Sequence, residues 1–94
     1  GPSLTIDGAP YGARLVVTLD DGARQVRTVG TDTSYFGQGD SAAHFGLAPE
    51  RVTALELLLP GGAKQVFERE GDAPLAAGGP RWRLERGPEN WRLR

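Results

Sequence analysis

The chain of 94 residues contains no cysteine and only one histidine. The lack of cysteine excludes a disulfide scaffold, a thiolate zinc site, an iron–sulfur centre and a cysteine nucleophile. A single histidine excludes a histidine-rich metal site within one copy of the chain. No apolar run approaches the roughly 20 residues of a membrane span, so none is expected. We therefore expect no metal site and no cofactor.

A strong excess of charge is also missing, because the formal net charge is −1. A net charge this close to zero argues against general, sequence-independent binding of nucleic acid. The charge is nevertheless uneven: residues 81–94 hold five arginines against two glutamates (+3), and the rest of the chain carries −4. We interpret Arg81, Arg83, Arg92 and Arg94 as a basic face, which either docks on an acidic partner or is a solvated strand face.

Fourteen glycines and seven prolines indicate many tight turns. No stretch keeps a helical apolar period, whereas short alternating runs are bounded by turn residues. We predict an all-β, immunoglobulin-like β-sandwich of about seven short antiparallel strands, with one long loop over residues 30–42. The strongest hairpin signal is Asp-Gly at Asp21 and Gly22, between alternating runs at 14–19 and 23–29. Further strands are predicted at 4–6, 43–45, 52–59, 63–68, 82–84 and 91–93.

The predicted organisation is a single β-domain over residues 4–86. Residues 1–3, Gly-Pro-Ser, resemble the remnant of a purification tag. Residues 87–94 form either a C-terminal tail or an extra edge strand. The Ala, Gly, Arg and Pro usage fits a high-GC bacterial source.

Four short motifs follow one another along the chain: Gly12-Ala13-Arg14, Ser34-Tyr35 with Gln38, His44-Phe45-Gly46-Leu47 and Leu59-Pro60-Gly61-Gly62. Their order and spacing resemble those of the ASPIC/UnbV domain. That family typically shows Gly-Ala-Arg, Ser-Tyr-x-x-Gln, His-Phe-Gly-Leu-Gly and Trp-Pro-(Ser/Asn)-Gly. The resemblance covers residues 4–85 and departs from the family pattern at Gly37, Ala48 and Leu59. The chain is therefore identified as resembling an ASPIC/UnbV domain.

This resemblance implies a module at the C-terminal end of a larger exported protein, after a propeller of FG-GAP/VCBS repeats. The family includes cartilage acidic protein and proteins encoded with bacterial enediyne biosynthesis genes. We expect a non-catalytic accessory domain, secreted, periplasmic or on the cell surface. Its expected partner is the propeller of the same chain or another protein. The alternatives are binding of a small enediyne-type metabolite and an enzyme completed by the propeller.

The candidate binding residues are Tyr35, Gln38, His44 and Phe45. Aromatic rings and amides suit a sugar or peptide, although Tyr35 and Phe36 would equally anchor a long loop on the core. His44 is the only conventional general base, and Ser34, Ser41 and Asp40 are near it in sequence, but no nucleophile motif is present. A structural role for His44, pinning the loop of residues 30–41, is favoured over catalysis.

A calcium site is a weaker hypothesis. Asp20, Asp21, Asp32 and Asp40 offer oxygen ligands, but no Asp-x-Asp-x-Asp loop is present. The turn at residues 20–22 explains the first two aspartates. Glycine spacings typical of phosphate-binding loops are also missing. We therefore expect neither calcium nor a nucleotide to be bound specifically.

Overall fold

The computed structural model describes residues 1–30 and 42–94. This part of the chain folds into eight strands, in two sheets ordered β4-β1-β7-β8 and β3-β2-β5-β6. The predicted all-β sandwich is confirmed. The predicted long loop falls almost entirely outside the described residues. The strands are β1 (Leu4–Asp7), β2 (Arg14–Leu19), β3 (Arg24–Thr28), β4 (Ala43–Phe45), β5 (Val52–Leu58), β6 (Lys64–Glu68), β7 (Arg81–Arg86) and β8 (Trp91–Leu93), with a 3-10 turn at Pro49–Arg51.

The β2–β3 hairpin follows directly from its local sequence. Leu15, Val17 and Leu19 alternate along β2 and are all buried. Gly22 has a φ of +86°, a backbone conformation that glycine adopts without strain. The Gly22 N–H donates to the Leu19 carbonyl at 2.9 Å, and β3 then returns antiparallel to β2. The predicted hairpin is therefore confirmed.

The core lies between the inner faces of the two sheets. Its largest fully buried side chains are Trp82 and Phe45, surrounded by aliphatic residues from both sheets. Among residues 1–30 and 42–94, no polar or charged residue is buried. Burial of apolar surface therefore dominates the stability of the sandwich. The buried residues of this core include Leu4, Ile6, Leu15, Val17, Val29, Phe45, Val52, Leu55, Leu57, Trp82 and Leu84.

One strand pairing differs from the antiparallel arrangement that the sequence predicts. β1 runs parallel to β7, with Ile6 beside Trp82. Parallel partners need a crossover connection rather than a hairpin, and here β2 to β6 lie between the two strands in sequence. Just after β1, Gly8 has a φ of +93°, and a Cβ there would overlap the Leu84 carbonyl oxygen. This glycine is required for the close approach of the chain to β7.

No helix of the described chain is long and apolar enough to cross a membrane.

Candidate interaction site

The four predicted binding residues divide between two parts of the chain. Tyr35 and Gln38 lie outside the described residues, as do Ser34, Phe36, Asp40 and Ser41. His44 and Phe45 are neighbours on the short edge strand β4, so their side chains point to opposite faces. The His44 side chain is exposed, whereas Phe45 is 1% exposed and belongs to the core. The role of the predicted loop in binding stays a prediction.

His44 faces solvent on the outer side of its sheet. Its Nδ1 atom lies 3.2 Å from the Thr5 hydroxyl oxygen on β1, and the two residues are direct cross-strand partners. This contact with Thr5 holds the His44 side chain against the surface of the sheet.

Arg27 links the two sheets along one side of the sandwich. It lies on the edge strand β3, and its Nε donates to the His44 carbonyl on β4 at 2.9 Å. The guanidinium carbon lies 5.1 Å from the centre of the Phe45 ring, within cation–π distance. A second donor, Nη1, reaches the Val26 carbonyl at 2.9 Å. Arg27 thereby joins two strands that belong to different sheets.

Gln65 also links the two sheets, on the opposite side of the sandwich. This residue of β6 donates from Nε2 to the Trp91 carbonyl at 2.6 Å and accepts the Trp91 N–H on Oε1 at 2.8 Å. The amide side chain therefore acts as a peptide group would, and satisfies both backbone groups of Trp91 on the outer edge of β8. Sequence analysis assigned no role to Arg27 or Gln65. The available signal was a polar residue at an inward position of an edge strand.

The four predicted basic residues lie on one exposed face. Trp82 and Leu84 of β7 point into the core, so the alternating Arg81 and Arg83 point outward. β8 pairs with β7 so that Arg92 is opposite Glu85, and Arg94 exchanges backbone hydrogen bonds with Arg83. We call this outer surface of the β4-β1-β7-β8 sheet, with Arg81, Arg83, Arg92 and Arg94, the cationic face.

Among the described residues, two of these arginines have a carboxylate partner and two have none. Arg81 pairs with Asp7. The Arg94 Nε lies 2.5 Å from the Glu85 Oε1. Within residues 1–30 and 42–94, no carboxylate lies within ion-pair distance of Arg83 or Arg92. The cationic face therefore has two guanidinium groups whose charge is not balanced locally.

The aspartates considered for calcium are engaged by a cation from the chain itself. The Arg51 guanidinium donates to Asp20 at 3.1 Å and to Asp21 at 3.0 Å. Asp21 also accepts the Ala23 N–H at 2.9 Å. This backbone hydrogen bond, followed by Arg51, lowers the pKa of Asp21, while the two carboxylates raise the pKa of Arg51, the Asp20 contribution being the largest. Asp32 and Asp40 lie outside the described residues.

A surface groove of about 480 Å³ lies beside the 3-10 turn. Its walls combine short apolar side chains with the first residues of the chain. The groove opens to solvent, so it is distinct from the filled core. Its lining includes Pro2, Ala48, Pro49, Pro74, Ala76 and Pro80.

The fold and the exposed faces define a small, all-β sandwich domain with a closed apolar core. A model of the family described as ASPIC and UnbV matches residues 7–71. The chain belongs to this family, in agreement with the motifs described above. Comparison with curated proteins and with solved structures gives no match. The match ends before β7 and β8, so the cationic face is built largely from residues outside it.

Proposed function

We propose that this chain is a non-catalytic interaction module of a larger exported protein. Family membership supports an all-β domain, and the resemblance adds an FG-GAP/VCBS propeller as the expected partner. In this proposal the domain packs on the propeller, or on another protein, and presents a surface for recognition. The protein acts outside the cell or in the periplasm.

The observation that carries this proposal is the separation of apolar core from polar surface. The space between the sheets is filled by Trp82, Phe45 and aliphatic side chains. Several ionisable groups of the described chain form exposed ion pairs on its outer faces, and the inward-directed Arg27 reaches the edge of the other sheet. Such a scaffold favours recognition at a face or rim, because side chains from both sheets pack against each other in the core of the described chain.

The experiment that tests this function measures binding between this chain and the propeller region that is expected to accompany it. Isothermal titration calorimetry should give a saturable complex of the two. Binding by neither the propeller nor any other part of the same protein would refute the interaction role. The His44→Ala variant should keep its fold, and any activity that the full protein shows should be unchanged by it. Loss of turnover at an unchanged Tm would instead support an enzyme.

Binding of a small apolar metabolite is a second candidate, favoured by the groove of about 480 Å³ beside Pro49. The prolines and alanines of this groove suit an uncharged ligand with few hydrogen-bonding groups. An enediyne-type compound should then raise the Tm of the chain, and Ala76→Trp should abolish that increase.

A further inference from the structure

We propose that the cationic face binds a short, extended acidic segment of a partner protein through Arg83 and Arg92. This inference rests on the interaction role proposed above and specifies the chemistry of the partner. It concerns β7 and β8, which lie outside the residues that the family model matches.

The first step is the local balance of charge on this face. Asp7 lies beside Arg83 in the register of β1 with β7, yet its carboxylate pairs with Arg81. Glu85 lies opposite Arg92, yet its carboxylate is 2.5 Å from Arg94. Asp7 on β1 and Glu85 on β7 are thus paired with Arg81 and Arg94. Among the described residues no carboxylate pairs with Arg83 or Arg92, so these two are left to bind an external anion.

Repulsion between arginines destabilises the cationic face when no partner is bound. Arg83 and Arg94 are directly opposite each other, joined by two backbone hydrogen bonds of 2.8 Å. Like charges at such positions destabilise a sheet. An anion bound at Arg83 removes part of this repulsion, so the face gains stability on binding. The backbone beneath is held in place by the buried Trp82 and Leu84.

The spacing between Arg83 and Arg92 fits an extended peptide. Arg92 is the diagonal cross-strand neighbour of Arg83, and such neighbours are about 7–8 Å apart. Alternate residues of an extended chain point the same way and repeat every 6.6–6.8 Å or so. Two acidic residues at positions i and i+2 of an extended segment can therefore each reach one guanidinium. The planar fork of arginine favours this bidentate contact with a carboxylate.

The distribution of charge favours a short segment over a long polyanion. Residues 1–80 carry a net charge of −4, whereas residues 81–94 carry +3. A nucleic acid or a sulfated polysaccharide that extended beyond the cationic face would meet the acidic remainder of the chain. A segment of a few residues touches only the favourable surface.

The test uses a fluorescein-labelled peptide of about eight residues that alternates glutamate and serine. A glutamine–serine peptide of the same length serves as the neutral probe, and binding is followed by fluorescence anisotropy at low and physiological ionic strength. The acidic peptide should bind and the neutral one should not. The double variant Arg83→Gln/Arg92→Gln should weaken the Kd about tenfold, equivalent to about 1.4 kcal/mol.

Two further variants separate the role of these two arginines from net charge. Arg14→Gln/Arg24→Gln removes the same charge from the outer face of the other sheet, and should change the Kd less than about twofold. Arg83→Lys/Arg92→Lys keeps the charge but loses the fork, so its Kd should lie between the wild type and the glutamine variant. Circular dichroism and the Tm establish that each variant is folded.

An equal loss in the two glutamine variants would overturn the proposal, as would unchanged binding by Arg83→Gln/Arg92→Gln. Tighter binding of heparin or of a DNA oligonucleotide than of the acidic peptide would overturn the choice of partner. If the propeller binds the wild type and the Arg83→Gln/Arg92→Gln variant equally well, the inference about the cationic face fails while the interaction role stands. If neither propeller nor peptide binds, both proposals fail.

Discussion

The amide of Gln65 should contribute strongly to the stability of the sandwich, although it is a single side chain on an edge strand. It makes two short hydrogen bonds to the backbone of Trp91 and thereby joins β6 to β8. Gln65→Met keeps the length of the side chain and removes both bonds. With about 0.5–1.5 kcal/mol per hydrogen bond, the expected loss is about 2 kcal/mol. For a domain of this size the Tm should fall by about 8–16 °C.

Urea unfolding followed by tryptophan fluorescence measures this loss directly. The m-value should stay unchanged, because the surface exposed on unfolding is the same. Gln25→Met is the matched control, since Gln25 is a half-buried glutamine on the other edge strand of the same sheet. Its side chain makes one long contact of 3.5 Å to Arg27, so the control should lose less than about 0.5 kcal/mol. Equal losses in the two variants would refute the role assigned to Gln65.

Two other substitutions test the turn chemistry. Gly8→Ala places a Cβ against the Leu84 carbonyl at a positive φ, so it should cost about 3 kcal/mol or more in urea unfolding; a loss below about 1 kcal/mol would contradict the close approach. The lowered pKa of Asp21 means that its ionised form stabilises the fold at neutral pH. That contribution is complete above the ordinary aspartate pKa and is lost as the pH falls below it, through the lowered pKa of the folded state. In the Asp21→Asn variant, the urea midpoint should therefore fall less steeply at acid pH than in the wild type. An equally steep fall in both proteins would contradict the role assigned to Asp21.

The sandwich could be predicted from sequence because alternation and turn chemistry act locally. Leu15 and Val17 are buried on β2 because a strand points every second side chain inward. The Asp-Gly turn after them fixes the hairpin by backbone geometry alone. The same alternation places Trp82 and Leu84 on one face of β7, and both are buried. These features need no knowledge of distant residues.

The links between the sheets could not be predicted in this way. Arg27 and Gln65 reach strands that are far away in sequence, and their partners are backbone groups, which carry no residue-specific signal. The parallel pairing of β1 with β7 is likewise set by the crossover of the intervening chain. The uneven charge of the sequence predicts the four arginines of the cationic face. Which two of them have no carboxylate partner among the described residues depends on the side-chain geometry of Asp7 and Glu85, and only the structure supplies that geometry.

The position of these links bears on how the cationic face can act. Arg27 and Gln65 both extend from the edge strands of the β3-β2-β5-β6 sheet and contact the edges of the other sheet. They therefore close the two sides of the sandwich and leave the outer surface above β7 clear. Because the backbone there is fixed by buried Trp82, ordering on binding is confined to arginine side chains, each with about 2 kcal/mol of rotamer entropy. Affinity at this face should therefore depend on guanidinium geometry more than on any rearrangement of the fold.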